Sequence, residues 1–165
     1  MLIVRAHEFG TPEKLVVEQV AAPEPGPGQV RIAVRAAAVN PVDWKLLSGK
    51  APVLPPLPLV PGGDLSGTID AVGEWVTGLA IGDRVFCHPG LTGAYAGQVA
   101  VAADAVAAIP AGLDFIHAAA LPLAGLTAQQ ALAADGRDLA VLHVLVHGGA
   151  GGVGILAIQL ARAAG

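Results

Sequence analysis

The chain has 165 residues, 54% of them hydrophobic and 13% charged, with a net charge of −4 and a mean hydropathy of +0.64. That balance excludes a disordered chain, and an acidic total with no basic cluster argues against nucleic acid as a partner. A single cysteine, Cys87, rules out an internal disulfide and any multi-cysteine metal site. No stretch offers the roughly 18–20 uninterrupted apolar residues a membrane span requires, because His143, His147 and several glycines break the best one. Arg5 and Glu8 stand where a signal peptide needs its apolar core, so the expected location is cytoplasmic.

In chain order, residues 2–6 and 14–20 read as short strands parted by a turn around Gly10 and Pro12. Residues 21–28, with three prolines in AAPEPGPG, form a connection. In residues 29–39, Val30, Ile32 and Val34 alternate with Arg31, Ala33 and Arg35, the period of a half-buried strand. Asn40 is a suitable N-cap and Pro41 a suitable first residue for a short helix ending near Gly49. The proline-dense residues 51–63 are an irregular loop. Strands are expected at 64–72, 83–87 and 95–102, the first opened by Asp64-Leu-Ser-Gly67, which lacks a nucleophile elbow, and residues 106–109 lead to a stop at Pro110-Ala-Gly112. Residues 115–134 are helical in composition and are expected to break at Pro122 and Gly125, leading through 136–138 to a further strand.

That strand, the apolar run 140–146, meets a dense glycine turn and then a second apolar run, 155–164. Within the turn Gly149, Gly151 and Gly154 fall in the order G-x-G-x-x-G. In a strand-turn-helix context such glycines bend the chain, admit a pyrophosphate to backbone amides and let the helix pack close on its strand. The helix N-terminus adds unpaired N–H groups and the positive end of a dipole. The expected organisation is a barrel-like all-β module up to about residue 112 and, from about 113, the start of an α/β sheet.

Six segments then carry a resemblance: NPVDWKLLSG (40–49), PGGDLSGTIDAV (61–72), GDRV (82–85), GAYAG (93–97), AAALPLAGLT (118–127) and VLVHGGAGGVG (144–154). In that order they resemble the N-terminal part of the medium-chain dehydrogenase/reductases, in the zinc-independent quinone oxidoreductase and enoyl reductase branch. The resemblance implies a mixed β and α/β fold: a GroES-like, partly open β-barrel followed by the first β-α unit of a Rossmann domain, with the active site in the cleft between them. It also implies no zinc. Zinc-dependent members carry Cys-His where this chain has Asn40-Pro-Val-Asp43, and Gly-His-Glu where it has Gly62-Gly63-Asp64. Cys87 is expected to be a small core residue.

The site expectations follow from the same comparison. Asn40 is either the helix cap alone or also a residue facing the nicotinamide. Asp43 and Lys45 are either exposed charges or a pair in which Asp43 orients Lys45 toward cofactor or substrate carbonyl. Tyr95 is a proton donor by residue type, although its family position reads as structural. Thr127 either bonds its own helix backbone or reaches the nicotinamide carboxamide. Gly149, Ala150, Gly151, Gly152, Val153 and Gly154 would cradle the phosphates. His147 is expected to be packed, and His88 shows no partner pattern. The implied activity is an NADP(H)-dependent reduction of quinones or α,β-unsaturated carbonyls, with this chain the N-terminal part of an enzyme of roughly twice its length. The alternative is a non-catalytic fragment or interaction module. Strand 140–146 and helix 153–164 are apolar on several sides, so self-association or a complementing C-terminal part is expected to cover them.

Overall fold

The computed structural model describes residues 1–134, 136 and 139–165, which divide into two compact units, Met1–Ala120 and Leu121–Gly165. In the first unit, β1 (Leu2–Ala6) and β2 (Leu15–Gln19) form an antiparallel ribbon. The other five strands are β3 (Gln29–Ala38), β4 (Asp64–Val72), β5 (Arg84–Cys87), β6 (Gln98–Ala102) and β7 (Val106–Ala108). They make one antiparallel sheet in the order β6-β3-β4-β5-β7, and the two sheets do not close on themselves.

The alternation in residues 29–39 works as read. Val30 and Ile32 are fully buried and join Leu65, Ile69, Val85, Cys87, Ala94 and Val101 in the main core. The central pairing, β3 on β4, is irregular: its register shifts between Arg31 and Ile32 and again between Val34 and Ala36. Gly67 lies in this region, paired with Val34 on one side and Val85 on the other. A Cβ on Gly67 would stand 2.2 Å from the Ala33 carbonyl oxygen and 2.7 Å from Ile32 Cγ2. The absent side chain is what lets the two backbones approach at the bend.

Helix α1 (Pro41–Leu47) begins two residues after β3 and turns Leu46 and Leu47 onto Ala6 and Leu59, a second small core. The loop 51–63 is irregular, and Leu59 bridges it to Ala6 through a pair of 2.8 Å backbone hydrogen bonds. Helix α2 (Phe115–Ala119) is capped by Asp114, which accepts from the His117 N–H at 2.8 Å, and packs on β3, β4 and β5. Ser66, fully buried in β4, donates to the Phe115 carbonyl at 2.6 Å and ties that helix to the sheet.

Three sequence expectations need correction. The strand expected at 95–102 begins only at Gln98, because Tyr95 and Gly97 turn their backbones to Val4 and Leu2 of β1 instead. Residues 115–134 do not break at Gly125. Pro122 opens a single helix, α3 (Pro122–Ala133), as proline at a first helical position does, and one glycine does not stop it. The run 140–146 is not a strand: Leu139–Val141 is a 3-10 turn, and the residues after it carry no ladder. A strand exists only through hydrogen bonds to a neighbour, and no strand is paired to this run among the described residues. Residues 137 and 138 of the connection lie outside the described residues. Within the second unit α4 (Gly152–Ala163) packs on α3 and buries Gly154 and Ala157. Val153, Ile155, Ile158 and Leu160 of α4, with Val141 and Leu145 before it, stay exposed. Among the described residues no helix is long and apolar enough to cross a membrane.

Two measurements test this architecture. Gly67→Ala should lower stability by about 3 kcal/mol in chemical denaturation, since the collision is with backbone and the sheet cannot yield cheaply. Cys87, in the main core beside β4, has its thiol pushed from 9.0 up to about 12 by burial and, secondarily, by the charge of Asp64. It should therefore resist alkylation in the folded protein near about pH 8 and react once unfolded. Between those two values the unfolded thiol ionises and the folded one does not, so its contribution to stability should be lost as pH rises through that window.

Candidate active site

The polar centre of the first unit is built on Asp43. It occupies the third position of α1, and Asn40 in extended conformation is that helix's N-cap. The Asp43 side chain turns back and accepts from the Asn40 backbone N–H at 2.7 Å, as a capping acid does. The same oxygen accepts the Tyr95 hydroxyl at 3.0 Å, and the other accepts the Gly62 N–H at 3.3 Å. Asp43 is only 5% exposed, and a carboxylate taking three donors needs none of its own. Burial, and then the charge and hydrogen bond of Asp43, push the Tyr95 phenol well above its ordinary value. Gly62 is required here on two counts. Its φ is +99°, and a Cβ would stand 2.5 Å from the Tyr95 ring.

Asn40 extends the network. Its side-chain nitrogen donates to Asp64 Oδ2 at 2.8 Å, and Asp64, 1% exposed, opens β4. The second oxygen of Asp64 lies 3.7 Å from His88 Nδ1, and that nitrogen also bonds the Gly63 carbonyl. Because a carbonyl only accepts, Nδ1 carries the proton in this contact. The His88 ring sits beside the missing side chain of Gly63, its Cε1 3.3 Å from where a Cβ would be.

The sequence-selected residues thus meet in part. Asn40, Asp43 and Tyr95 form one network. Lys45 stays outside it, exposed, with its ammonium 5.8 Å from the Trp44 ring centre. The expectation that Asp43 orients Lys45 is corrected: that carboxylate is bonded to Asn40, Gly62 and Tyr95. Asp64 and His88 are the members the sequence reading missed. The available signal was a charged residue, Asp64, standing directly before the apolar and small residues Leu65, Ser66 and Gly67 at the start of a strand, where burial demands a partner.

In the second unit the glycine turn heads α4. Gly148 has φ +69°, its carbonyl accepts the Gly151 N–H at 2.9 Å, and Gly151 is the N-cap with no capping side chain. The N–H groups of Gly152, Val153 and Gly154 therefore lead the helix unpaired by its own turns. A Cβ on Gly154 would stand 2.3 Å from the Gly148 oxygen and 2.7 Å from Gly149 Cα. Ala150 is exposed on the turn, which borders an open cleft of about 610 Å³ lined by Ala128, Val144, His147 and the glycines. His147 is exposed rather than packed, because the strand that would have carried it inward is not formed. Thr127, on α3, donates its hydroxyl to the Leu123 carbonyl at 2.6 Å.

Residues 26–111 match the alcohol dehydrogenase GroES-like domain family. The chain is 42% identical over 166 residues to quinone oxidoreductase of Mus musculus, covering 100% of this chain and 50% of that protein. It is 46% identical over 165 residues to that of Lama guanicoe, at 99% and 50% coverage. Among solved structures, quinone oxidoreductase of Coxiella burnetii superposes with a TM-score of 0.89 at 37% identity, over 100% of this chain and 54% of that one. Escherichia coli quinone oxidoreductase complexed with NADPH superposes at 0.85 and 30% identity, over 100% and 50%. The chain spans about half the length of the relatives it matches. With the GroES-like match covering more than half its residues and the likeness to quinone oxidoreductases running from end to end, the chain belongs to the medium-chain dehydrogenase/reductase superfamily, as a member built on the alcohol dehydrogenase GroES-like domain.

Proposed function

We propose that this chain supplies the GroES-like catalytic domain and the first phosphate-binding turn of an NADPH-dependent, zinc-independent reductase of quinones or α,β-unsaturated carbonyls in the cytoplasm. The observation that carries the reading is the turn at the head of α4. Its backbone closes so tightly at Gly148, Gly149 and Gly154 that no side chain fits at Gly154, and no side chain caps the helix it opens. Such a turn suits a pyrophosphate, and the preference for NADPH follows the E. coli relative solved with it.

When bound, a reduced nicotinamide supplies the hydride, and the protein's task is to hold it and to meet charge developing on the acceptor. Gly149, Ala150, Gly151, Gly152, Val153 and Gly154 present amides to the phosphates. Thr127 and Asn40 serve the nicotinamide end, and Lys45, exposed and outside the buried network, serves the cofactor or the substrate carbonyl. Asp43 fixes Asn40. Tyr95 holds Asp43, and a phenol so bound releases its proton reluctantly, so its part in this reading is positional. A division into 1–125 for catalysis and 126–165 for cofactor binding goes with this assignment.

A second reading rests on the exposed apolar side chains Val141, Leu145, Ile155 and Ile158. On it the 165-residue chain by itself is a non-catalytic module whose second unit is covered by another copy or by a complementing C-terminal part. Size-exclusion chromatography with native mass spectrometry separates the two, since a stable monomer at 16.4 kDa speaks against the module.

The activity test is NADPH oxidation with 1,4-benzoquinone and with an enone, by the full-length product of the gene that encodes this chain. Turnover with either is expected, and none with both would refute the reductase. Gly154→Ala should weaken NADPH binding by at least about tenfold, seen in a fluorescence titration, because the turn must open to accept the methyl group. Lys45→Ala should leave stability within about 0.5 kcal/mol, being exposed, while kcat/KM falls. Asp43→Asn should cost about 1.5–3 kcal/mol of stability, since an amide offers one acceptor oxygen to three donors.

A further inference from the structure

We propose that His88, backed by Asp64, is the proton donor of the reduction. The inference rests on the reductase reading above and adds to it the acid that completes the transfer. Its ground is the arrangement around the ring. Nδ1 donates to the Gly63 carbonyl and faces Asp64 Oδ1 at 3.7 Å, so the ring is held in one tautomer and its cationic form has a buried carboxylate behind it. Nε2 is the ring nitrogen that Gly63 and Asp64 do not engage, and the side chain is 22% exposed, enough for water to reload it. The other oxygen of Asp64 holds the amide of Asn40, so one carboxylate sets both the proposed nicotinamide contact and the proposed acid. Gly63 makes room for this: any side chain there would press on the His88 ring and on the Gly90 carbonyl oxygen, 3.2 Å from the Cβ position.

When bound, a reduced nicotinamide would supply a hydride to the quinone carbonyl carbon or the enone β-carbon, which would leave an electron pair on the substrate's carbonyl oxygen. The His88 Nε2–H bond breaks, its electron pair stays on Nε2, and an O–H bond forms on the substrate. His88 is then a neutral imidazole still donating from Nδ1 to Gly63, and it regains a proton from water. The titratable groups around the ring are Asp64 from β4 and Cys87 next to it in β5, with Asp43 and Tyr95 beyond Asn40. Cys87 is buried and protonated throughout the neutral range, so Asp64 is the charge that governs the ring.

The test is the pH dependence of kcat for the full-length protein with 1,4-benzoquinone, in the wild type, in His88→Gln and in His88→Ala. The acid acts protonated, so wild-type kcat should fall as pH rises. His88→Gln should lose that alkaline limb and about 100-fold or more in kcat, with KM for NADPH little changed. Added imidazole should restore rate to His88→Ala, which a merely structural histidine would not allow. Nitrogen-15 shifts of His88 in the wild-type protein give a readout that needs no variant: the neutral ring should carry its proton on Nδ1, and a proton on Nε2 overturns the assignment. Wild-type turnover with an unchanged rate and pH profile in His88→Gln overturns the proton donor alone. Absence of turnover in the wild type overturns the reductase reading and this one together.

Discussion

A single buried carboxylate organises the first unit. Asp43 receives the helix cap of Asn40, the N–H of Gly62 and the hydroxyl of Tyr95, and so joins the start of α1, the loop before β4 and the segment that leads into β6. These pieces are 3, 19 and 52 residues away along the chain. Burying a charge is costly unless hydrogen bonds replace water, and three donors do so here. The consequence is directional. Once Asp43 is held, Asn40 has a fixed orientation, and its amide reaches Asp64 rather than solvent.

The sheet makes that network possible by bringing β3 and β4 unusually close. Gly67 gives up a side chain in the middle of β4, and the register slips on either side of its partner Val34. The bend carries Ala38 and Asp64 to the same end of the pair, where the first ends a strand and the second begins one. Gly62 and Gly63, immediately before Asp64, serve two neighbours: one clears the Tyr95 ring, the other the His88 ring. Small residues at 62, 63 and 67 are thus the packing condition for the polar residues around them.

The second unit follows a different logic. Helices α3 and α4 form from local signals, a leading proline and a glycine turn, and they pack on each other. The apolar run before the turn has the composition of an interior strand, yet carries no ladder. Helix hydrogen bonds close within four residues, whereas strand hydrogen bonds need a second segment. Apolar composition therefore yields helices in one case and a mostly exposed stretch without a ladder in the other.

The sequence alone determined six of the seven strands found among the described residues, the short helix after Asn40, the glycine turn and the family, because alternation, proline and glycine punctuation and motif order are written locally; the three-residue β7 is too short to carry such a pattern. It also brought Asn40, Asp43 and Tyr95 forward as candidates, by residue type and by resemblance. Tertiary structure decided which of them touch. It set Lys45 apart from Asp43, turned Tyr95 away from the sheet toward β1, and made partners of Asp64 and His88, residues that carry no mutual signal in the chain. The reason is physical: periodicity reports which face of an element is buried, while the partner of a buried polar group is chosen by how distant segments close on one another.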